Sequence, residues 1–216
     1  MTAIELQGVA KRFGDVVAVR DLDLAIEEGE VFGFLGPNGA GKSTTINLLL
    51  DFVRPTAGTV RVLGHDAHRE SVAVRRRSGV LPEAFGVYGR LTGTQHVEFA
   101  MASKEVDGDP LDVLDRVGLH DDADRRAGDY SKGMRQRLAL AMALVGEPDL
   151  LILDEPSTGL DPNGAREMRG IVREENRRGA TVFFSSHILG QVEAVCDRVG
   201  ILRDGELVAQ DSVAGL

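Results

Sequence analysis

The sequence predicts an α/β fold: a parallel sheet forms the core, an antiparallel β segment precedes it, and a helical segment is inserted. Three observations support this prediction. Apolar runs of strand type alternate with helical patterns along most of the chain. Residues 4–26 instead alternate apolar and polar side chains, as half-buried strands do. In the middle of the chain, apolar residues recur at helical spacing without strand-like runs.

The first half of the chain is dominated by predicted strands. The pattern predicts them at Ile4–Val9, Val16–Ile26, Val31–Leu35, Thr59–Leu63 and Gly79–Leu81. Gly14-Asp15 supplies a turn between the first two, so we expect them to pair antiparallel. The third strand stops at Gly36, and a helix is predicted from Gly41 onward.

The second half returns to strands after the helical insert. The predicted elements are helices over Thr94–Val117 and Gly133–Val145, a strand at Leu150–Leu153, a helix beginning at Asp161-Pro162, a strand at Ala180–Phe184, and a hairpin of Val199–Leu202 with Glu206–Ala209. We therefore expect one domain over 1–216, with an α/β core in 1–84 and 147–216 and a helical subdomain in 85–146.

Composition narrows the classes of protein that fit. The 216 residues are enough for one sizeable core, and 43% hydrophobic residues are typical of a globular protein. No apolar run approaches the roughly 18 residues of a membrane helix, and residues 1–9 lack the basic start of a secretory signal. Cys196 has no cysteine to pair with, which indicates a cytosolic protein. The net charge of −9 argues against a nucleic-acid partner.

A phosphate-binding motif follows the third predicted strand. Residues 36–43 read G-P-N-G-A-G-K-S, an intact G-x-x-x-x-G-K-[ST] pattern between a strand and a helix. Glycines let backbone N–H groups surround a phosphate, the helix N-terminus adds its positive dipole end, and Lys42 adds a point charge. The alternative is a flexible Gly-rich turn. The residues expected to bind a nucleotide here are Gly36, Pro37, Asn38, Gly39, Ala40, Gly41, Lys42, Ser43 and Thr44.

Two further segments are expected at the same edge of the sheet. The apolar run at 150–153 ends in Asp154 and Glu155, and the carboxyl ends of parallel strands meet at one crevice. Asp154 is placed for Mg²⁺ and Glu155 for polarising an attacking water. His187 follows the strand predicted to end at Phe184, and we expect it to sense the terminal phosphate. The alternatives are a core strand ending in an acid and a structural histidine.

With these motifs in place, the chain resembles the ATP-binding-cassette (ABC) ATPases. The deciding stretch is Y-S-K-G-M-R-Q-R at 130–137, which is similar to the family signature L-S-G-G-Q. From the residues alone, Ser131 is a good helix N-cap and Gly133 allows close approach of a ligand, although a mere capping box has the same pattern. The resemblance implies that both grip the γ-phosphate of ATP bound to a partner subunit.

The resemblance extends to the rest of the chain. It implies that Phe13 stacks on adenine and that the loop ending at Asp161 crosses a dimer interface. It also implies that His187 and Lys42 act with Glu155 in ATP hydrolysis, and that Ser43, Asp154 and Glu83 surround Mg²⁺. This sequence departs from the family at three positions, where Lys132 replaces glycine, Met134 replaces glutamine and Glu83 replaces glutamine. A carboxylate at 83 cannot donate the amide hydrogen bond.

The implied partners are a second copy of the subunit and a separate transmembrane permease that holds the chain at the inner face of the membrane. The variant motifs resemble the branch of multidrug, antibiotic and sodium exporters. We expect Phe85, Val87, Tyr88 and Leu91 to line a groove for a permease helix, unless they are ordinary core of the insert. The alternative function is a non-transport ABC ATPase of iron–sulfur assembly, DNA repair or translation.

Overall fold

The computed structural model describes residues 1–213, which form two β-sheets and a helical layer. The strands are β1 (Thr2–Phe13), β2 (Val16–Glu27), β3 (Val31–Leu35), β4 (Ala57–Val62), β5 (His65–Asp66), β6 (Ser78–Leu81), β7 (Leu150–Asp154), β8 (Thr181–Ser186), β9 (Arg198–Arg203) and β10 (Glu206–Ser212). The helices are α1 (Lys42–Leu49), α2 (Ser71–Arg77), α3 (Gly93–Lys104), α4 (Pro110–Arg116), α5 (Lys132–Leu144), α6 (Pro162–Arg177) and α7 (Leu189–Glu193).

The larger sheet has six strands in the order β10-β9-β3-β8-β7-β6. All neighbours in it are parallel except β9 and β10, which form an antiparallel hairpin. Every residue of β7 is buried, as expected of a central strand covered on both faces. The carboxyl ends of β3, β7 and β8 therefore meet at one edge, and the predicted parallel core is confirmed.

The smaller sheet is antiparallel and has the order β2-β1-β4-β5. Its central strand β1 pairs with β2 from Thr2 opposite Glu27 to Phe13 opposite Val16. The turn at Gly14 has φ 57°, a backbone conformation that glycine adopts without strain. The predicted N-terminal antiparallel β segment is thus confirmed.

The helical segment differs from the prediction in one respect. The single helical stretch predicted over Thr94–Val117 is two helices, α3 and α4. Glu105 ends α3 in the left-handed region at φ 57°, and Asp109 begins α4 by accepting a hydrogen bond from the Leu111 N–H at 2.8 Å. Both local signals break the helical path, although the apolar spacing continues through them.

Several other boundaries also differ, the largest change being β1, which runs over Thr2–Phe13 and not Ile4–Val9. Strand β8 continues past Phe184 through Ser185 and Ser186, because both serines pair with β3. Leu63 lies outside β4 with φ 51°. The short elements β5 and α2 were not predicted. Strand β5 has only two residues, and α2 buries only Val74 and carries three arginines in its last turn.

Two hydrophobic clusters hold these layers together. One lies between the antiparallel sheet, α1 and the near face of the large sheet, and contains Phe32, Phe34 and Phe183. The other joins α3–α5 to the opposite face of the large sheet and contains Phe184. Within residues 1–213, no helix combines the length and apolar character required to cross a bilayer. The division at 84/85 and 146/147 stays a prediction.

The lone thiol belongs to the second cluster. Cys196 is buried, and its Sγ would lie 3.1 Å from a Cβ added at Gly33 of β3. Burial raises the pKa of Cys196 well above its usual range, because the thiolate would lose its hydration.

We predict that Cys196 is unreactive in the folded protein. Since the thiolate is the nucleophile, Ellman's reagent at a pH near the ordinary thiol pKa should label the native protein far more slowly than a free thiol. The same protein in guanidinium should react completely, which provides the control. Equal labelling rates with and without denaturant would contradict the burial of this thiol.

Candidate phosphate-binding and hydrolytic site

The loop between β3 and α1 has the backbone path of an anion-binding turn. Gly39 and Gly41 have φ of 81° and 110°, both in the region that favours glycine. A Cβ added at Gly41 would lie 2.5 Å from the Ala18 carbonyl oxygen, and one at Gly36 would lie 2.4 Å from the Leu202 carbonyl oxygen. Neighbouring backbone therefore requires glycine at both 36 and 41, and at 41 the conformation of the turn requires it as well.

Backbone hydrogen bonds from two other elements brace this loop. The turn between β9 and β10 donates its Gly205 N–H to the Ala40 carbonyl at 2.9 Å and accepts from the Arg20 N–H at 2.8 Å. The Gly36 N–H donates to the Ser186 carbonyl at the end of β8 at 3.2 Å. The loop is thus fixed between the antiparallel sheet and the edge of the parallel sheet.

A cavity of about 260 Å³ lies between the loop and the antiparallel sheet. It brings together eight of the residues predicted for the site: Asn38, Gly39, Gly41, Lys42, Ser43, Thr44, Glu83 and Glu155. Its remaining wall is formed by residues 16–18 of β2, which sequence reasoning missed. A half-buried strand gave no local signal for that role, because its contact with the loop is purely tertiary.

Lys42 lines the cavity and is 6% exposed. Its ammonium donates to the carbonyls of Gly36 at 2.7 Å and Pro37 at 3.3 Å. The same Nζ is 3.4 Å from Oε1 of Glu155, which is also buried. The buried ammonium is thus held by two neutral carbonyls and one carboxylate, and the loop N–H groups are the further donors for an anion.

The two oxygens of the Glu155 carboxylate have different partners. Glu155 follows β7 with φ 51°, and its N–H donates to the Ser185 carbonyl and to Ser185 Oγ, both at 3.2 Å. Oε2 lies 2.9 Å from His187 Nδ1 and accepts from Thr158 Oγ1 at 3.3 Å.

The other oxygen, Oε1, has an ionic contact with Lys42 but no hydrogen-bond partner. Within the described residues only Ser157 Oγ shares this condition of being buried and without a hydrogen-bond partner. A buried carboxylate oxygen without a donor is costly unless something supplies one. The geometry therefore leaves an acceptor available to a bound water.

Asp154 is buried and accepts a hydrogen bond from Ser185 Oγ. It does not line the cavity, whereas the Ser43 hydroxyl does. No cluster of three His, Cys, Asp or Glu side chains suited to a metal forms within residues 1–213. Hydroxyl and carboxylate oxygens are nevertheless the ligands that Mg²⁺ prefers, and Mg²⁺ commonly takes one or two of them together with substrate phosphates. Ser43 and Glu83 line the cavity and carry such oxygens, whereas Asp154 carries them outside the cavity lining, so the magnesium site stays a prediction.

Of the other predicted contacts, Gly36, Pro37, Ala40 and His187 do not line the cavity, and four more lie on other elements. Ser131 caps α5 by accepting from the Met134 N–H at 3.2 Å, and Asp161 caps α6 by accepting from the Gly164 N–H at 2.8 Å. Gly133 lies in the first turn of α5. Phe13 is 47% exposed, and the Lys11 ammonium is 4.7 Å from its ring centroid. The structure thus does not bring these four residues into the cavity of their own chain.

Two hydroxyls of the site were missed by sequence reasoning. Ser185 holds both Asp154 and the backbone of Glu155, and Thr158 holds the Glu155 side chain. Ser185 stood beside His187 in the sequence, but its partner is 31 residues away on another strand. Only the pairing of β7 with β8 reveals that contact.

The sequence is similar to a known protein family and to several of its members. The family described as ABC transporter matches residues 19–158. The bacitracin transport ATP-binding protein BcrA of Bacillus licheniformis is 38% identical, over 97% of this chain and 69% of that protein. The ABC transporter ATP-binding protein NatA of Bacillus subtilis is 37% identical, over 99% and 91%. The daunorubicin/doxorubicin resistance ATP-binding protein DrrA of Streptomyces peucetius is 40% identical, over 99% and 66%.

Solved structures share the fold. The ATP-binding subunit of an ABC transporter superposes with a TM-score of 0.89 at 27% identity, covering 99% of this chain and 91% of that one. A dimeric ATP-binding cassette in a post-hydrolysis state, bound to ADP and Pi, superposes with a TM-score of 0.88 at 26% identity, covering 99% and 100%.

The close approach of Gly41 to the Ala18 carbonyl can be tested by substitution. Gly41→Ala should weaken ATP binding about ten-fold or more, because the methyl group collides with the Ala18 carbonyl and displaces the loop N–H groups. Gly64→Ala is the matched control, since Gly64 has φ 79° and open space around its Cβ. Calorimetric titration with ATP measures both. Equal affinities of the two variants would show that the collision is relieved without moving the loop.

Proposed function

Because the chain belongs to the ABC transporter family, as an ATP-binding subunit, we propose that it hydrolyses ATP in this cavity to drive export by a separate membrane permease. The observation that carries the proposal is the arrangement around Glu155. A buried carboxylate, one of whose oxygens has no hydrogen-bond donor, lies 3.4 Å from a buried lysine ammonium at the end of a phosphate-binding loop. That combination suits phosphoryl transfer to water.

In the proposed reaction, the loop N–H groups and Lys42 hold the β- and γ-phosphates. Glu155 Oε1 accepts the hydrogen bond of a water molecule and aligns its oxygen with the γ-phosphorus. The water oxygen bonds to phosphorus as the bond to the bridging oxygen breaks, which yields ADP and inorganic phosphate while the water proton passes to Glu155. Ser43 and Asp154, with Glu83 on the cavity wall, would hold Mg²⁺, which would neutralise charge on the phosphates.

His187 and Thr158 have a positioning role in this scheme. Both contact Oε2, so they orient the carboxylate and leave Oε1 directed toward the water. The ring of His187 is 40% exposed, which leaves part of it accessible to a γ-phosphate. Its Nδ1 faces the carboxylate. In the proposed reaction, the rest of the ring contacts the terminal phosphoryl group.

A second copy of the chain completes the site. The helix tip of Ser131 and Gly133 lies outside the cavity of its own subunit, as the N-terminus of an α-helix with unpaired N–H groups suited to an anion. We place it, and the loop ending at Asp161, on the nucleotide of the partner, with Phe13 against adenine. Support comes from the related cassette whose structure is dimeric and contains ADP and Pi.

The permease contact is proposed for an apolar groove beside the cavity. The groove has a volume of about 390 Å³ and is walled by Phe52, Phe85, Phe99, Pro82 and Met142 among others. Of the four residues expected to form it, Phe85 lines this groove and Val87, Tyr88 and Leu91 do not. Val87 packs against the second hydrophobic cluster, and Tyr88 is exposed and stacks on the His96 ring.

A membrane-embedded partner fits this groove for two reasons. Phe52 and Phe99 are 63% and 57% exposed, so they offer apolar surface that lacks a cover within the described chain. The groove also shares one segment with the nucleotide cavity, since Pro82 lines the former and Glu83 the latter. We propose that a cytoplasmic helix of the permease occupies the groove and holds the chain at the inner face of the membrane.

The exporter assignment rests on the relatives, which are named for bacitracin transport and for daunorubicin/doxorubicin resistance. The transported compound would bind the permease. The non-transport alternatives raised by the sequence are less well supported. The segment 44–130 has no room for the long coiled coil of repair and chromosome types.

We predict that Glu155→Gln retains ATP binding but lowers kcat about 100-fold or more, because the amide is not a base. The variant should accumulate as an ATP-bound dimer, measured by size-exclusion chromatography with multi-angle light scattering. Glu98→Gln, at an exposed position on α3, is the control and should hydrolyse ATP normally. A Glu155→Gln protein that turns over at the parental rate, or stays monomeric with saturating Mg-ATP, would reject the proposal.

We predict that Phe99→Asp releases the chain from its permease. A charge in the apolar groove should weaken docking about ten-fold or more, while ATP hydrolysis by the isolated subunit stays unchanged. Val208→Asp, at a comparably exposed position on β10, is the control. Co-purification with a multispanning membrane protein from detergent-solubilised membranes of the native cells measures docking. Undiminished co-purification of Phe99→Asp would place the permease elsewhere.

A further inference from the structure

The signature helix contacts the loop that follows Glu155 within the same chain. Gln136, one turn into α5, donates its Nε2 to the Pro156 carbonyl at 3.1 Å. A Cβ added at Gly133 would lie 3.9 Å from Leu160 Cδ2, so the helix tip also lies close to this loop. We call residues 156–161 the linker loop, because it joins β7 and Glu155 to α6.

Lys132 adds a second contact at the position where this chain departs from the family signature. A Cβ added at Gly159 would lie 1.8 Å from Lys132 Nζ, so the lysine side chain covers that glycine. Gly159 has φ 70°, a backbone conformation in which any other residue type would be strained. The N-terminal part of α5 therefore lies across the linker loop at two points.

The linker loop is in turn fastened to the carboxylate of Glu155. The Thr158 N–H donates to the Glu155 carbonyl at 3.1 Å, and Thr158 Oγ1 donates to Glu155 Oε2 at 3.3 Å. A continuous path of short contacts thus runs from Gln136 through Pro156 and Thr158 to the side chain of Glu155. The path is about one helical turn from Ser131.

We propose that Gln136 is a positioning residue that couples the helix tip of α5 to Glu155 of the same chain. The inference rests on the proposed function, in which that tip grips ATP bound to the partner subunit. When the tip engages the partner's nucleotide, α5 shifts and carries the linker loop with it through the amide hydrogen bond. Thr158 then adjusts the Glu155 carboxylate, so each of the two sites in the dimer senses occupation of the other.

A glutamine at position 136 suits its acceptor, the Pro156 carbonyl. The Pro156 carbonyl needs a donor, and a glutamine amide supplies one without bringing a charge close to the Glu155 carboxylate. A glutamate of the same shape presents only acceptors and repels that carbonyl. Gln136→Glu therefore removes the contact with almost no change in volume.

The test compares Gln136→Glu with Gln210→Glu, the same substitution at an exposed position on β10. We expect Gln136→Glu to keep the parental ATP affinity, to lower kcat about ten-fold, and to bring the Hill coefficient of ATP hydrolysis close to one. Gln136→Lys retains a donor of similar reach but adds a positive charge near Glu155, so it should recover only part of kcat and of the cooperativity. Gln210→Glu should match the parent in all three measurements.

Dimer formation separates this inference from the proposed function. In a Glu155→Gln background, adding Gln136→Glu should leave the ATP-bound dimer intact, because Ser131 and Gly133 are unchanged. Loss of the dimer only in the double variant would show that Gln136 supports the grip on ATP and would overturn the coupling role. Unchanged kcat and Hill coefficient in Gln136→Glu would overturn it too. Failure of Glu155→Gln alone to dimerise would reject the proposed function and this inference together.

Discussion

The arrangement of the site depends on a buried contact between an ammonium and a carboxylate. Lys42 leaves the first turn of α1 and Glu155 leaves the end of β7, and their charged atoms are 3.4 Å apart with almost no exposure to solvent. Burial of two charges is stable only with additional hydrogen bonds. The carbonyls of Gly36 and Pro37 provide them for the lysine, and Thr158 and His187 provide them for the carboxylate. The loop, two strand ends and the linker loop are all arranged around this pair.

The parallel sheet determines which residues can join that arrangement. Since β3, β7 and β8 run side by side in the same direction, their carboxyl ends bring Gly36, Asp154 and Ser186 to one edge. The antiparallel sheet closes the cavity from the other side with β2. Residues of the helical layer, including Ser131, stay outside it. The split of one functional site between two copies of the chain follows from this geometry in the proposed function.

The sequence predicted those parts of the site whose chemistry is local. The glycines of the phosphate loop were identifiable because the backbone itself needs them, and Glu155 because an apolar strand delivered it. Ser185 was not, since its partner Asp154 lies on another strand and the two meet only after β7 and β8 have paired. Thr158 was not either, since its contact with Glu155, three residues away, depends on the path of the turn after β7. The break of the predicted helix at Glu105 shows the same limit: apolar spacing persisted where the backbone turned.

The brace on the phosphate loop has a consequence for how this protein tolerates mutation. Its hydrogen bonds join main-chain atoms of Ala40, Gly205 and Arg20, so they are indifferent to which side chains those positions carry as long as the chain follows the same path. The hairpin tip can accept much sequence drift without loosening the nucleotide pocket. The vulnerable point is Gly205 itself, where φ is 84° and an added Cβ would press on the Ala18 carbonyl at 3.0 Å.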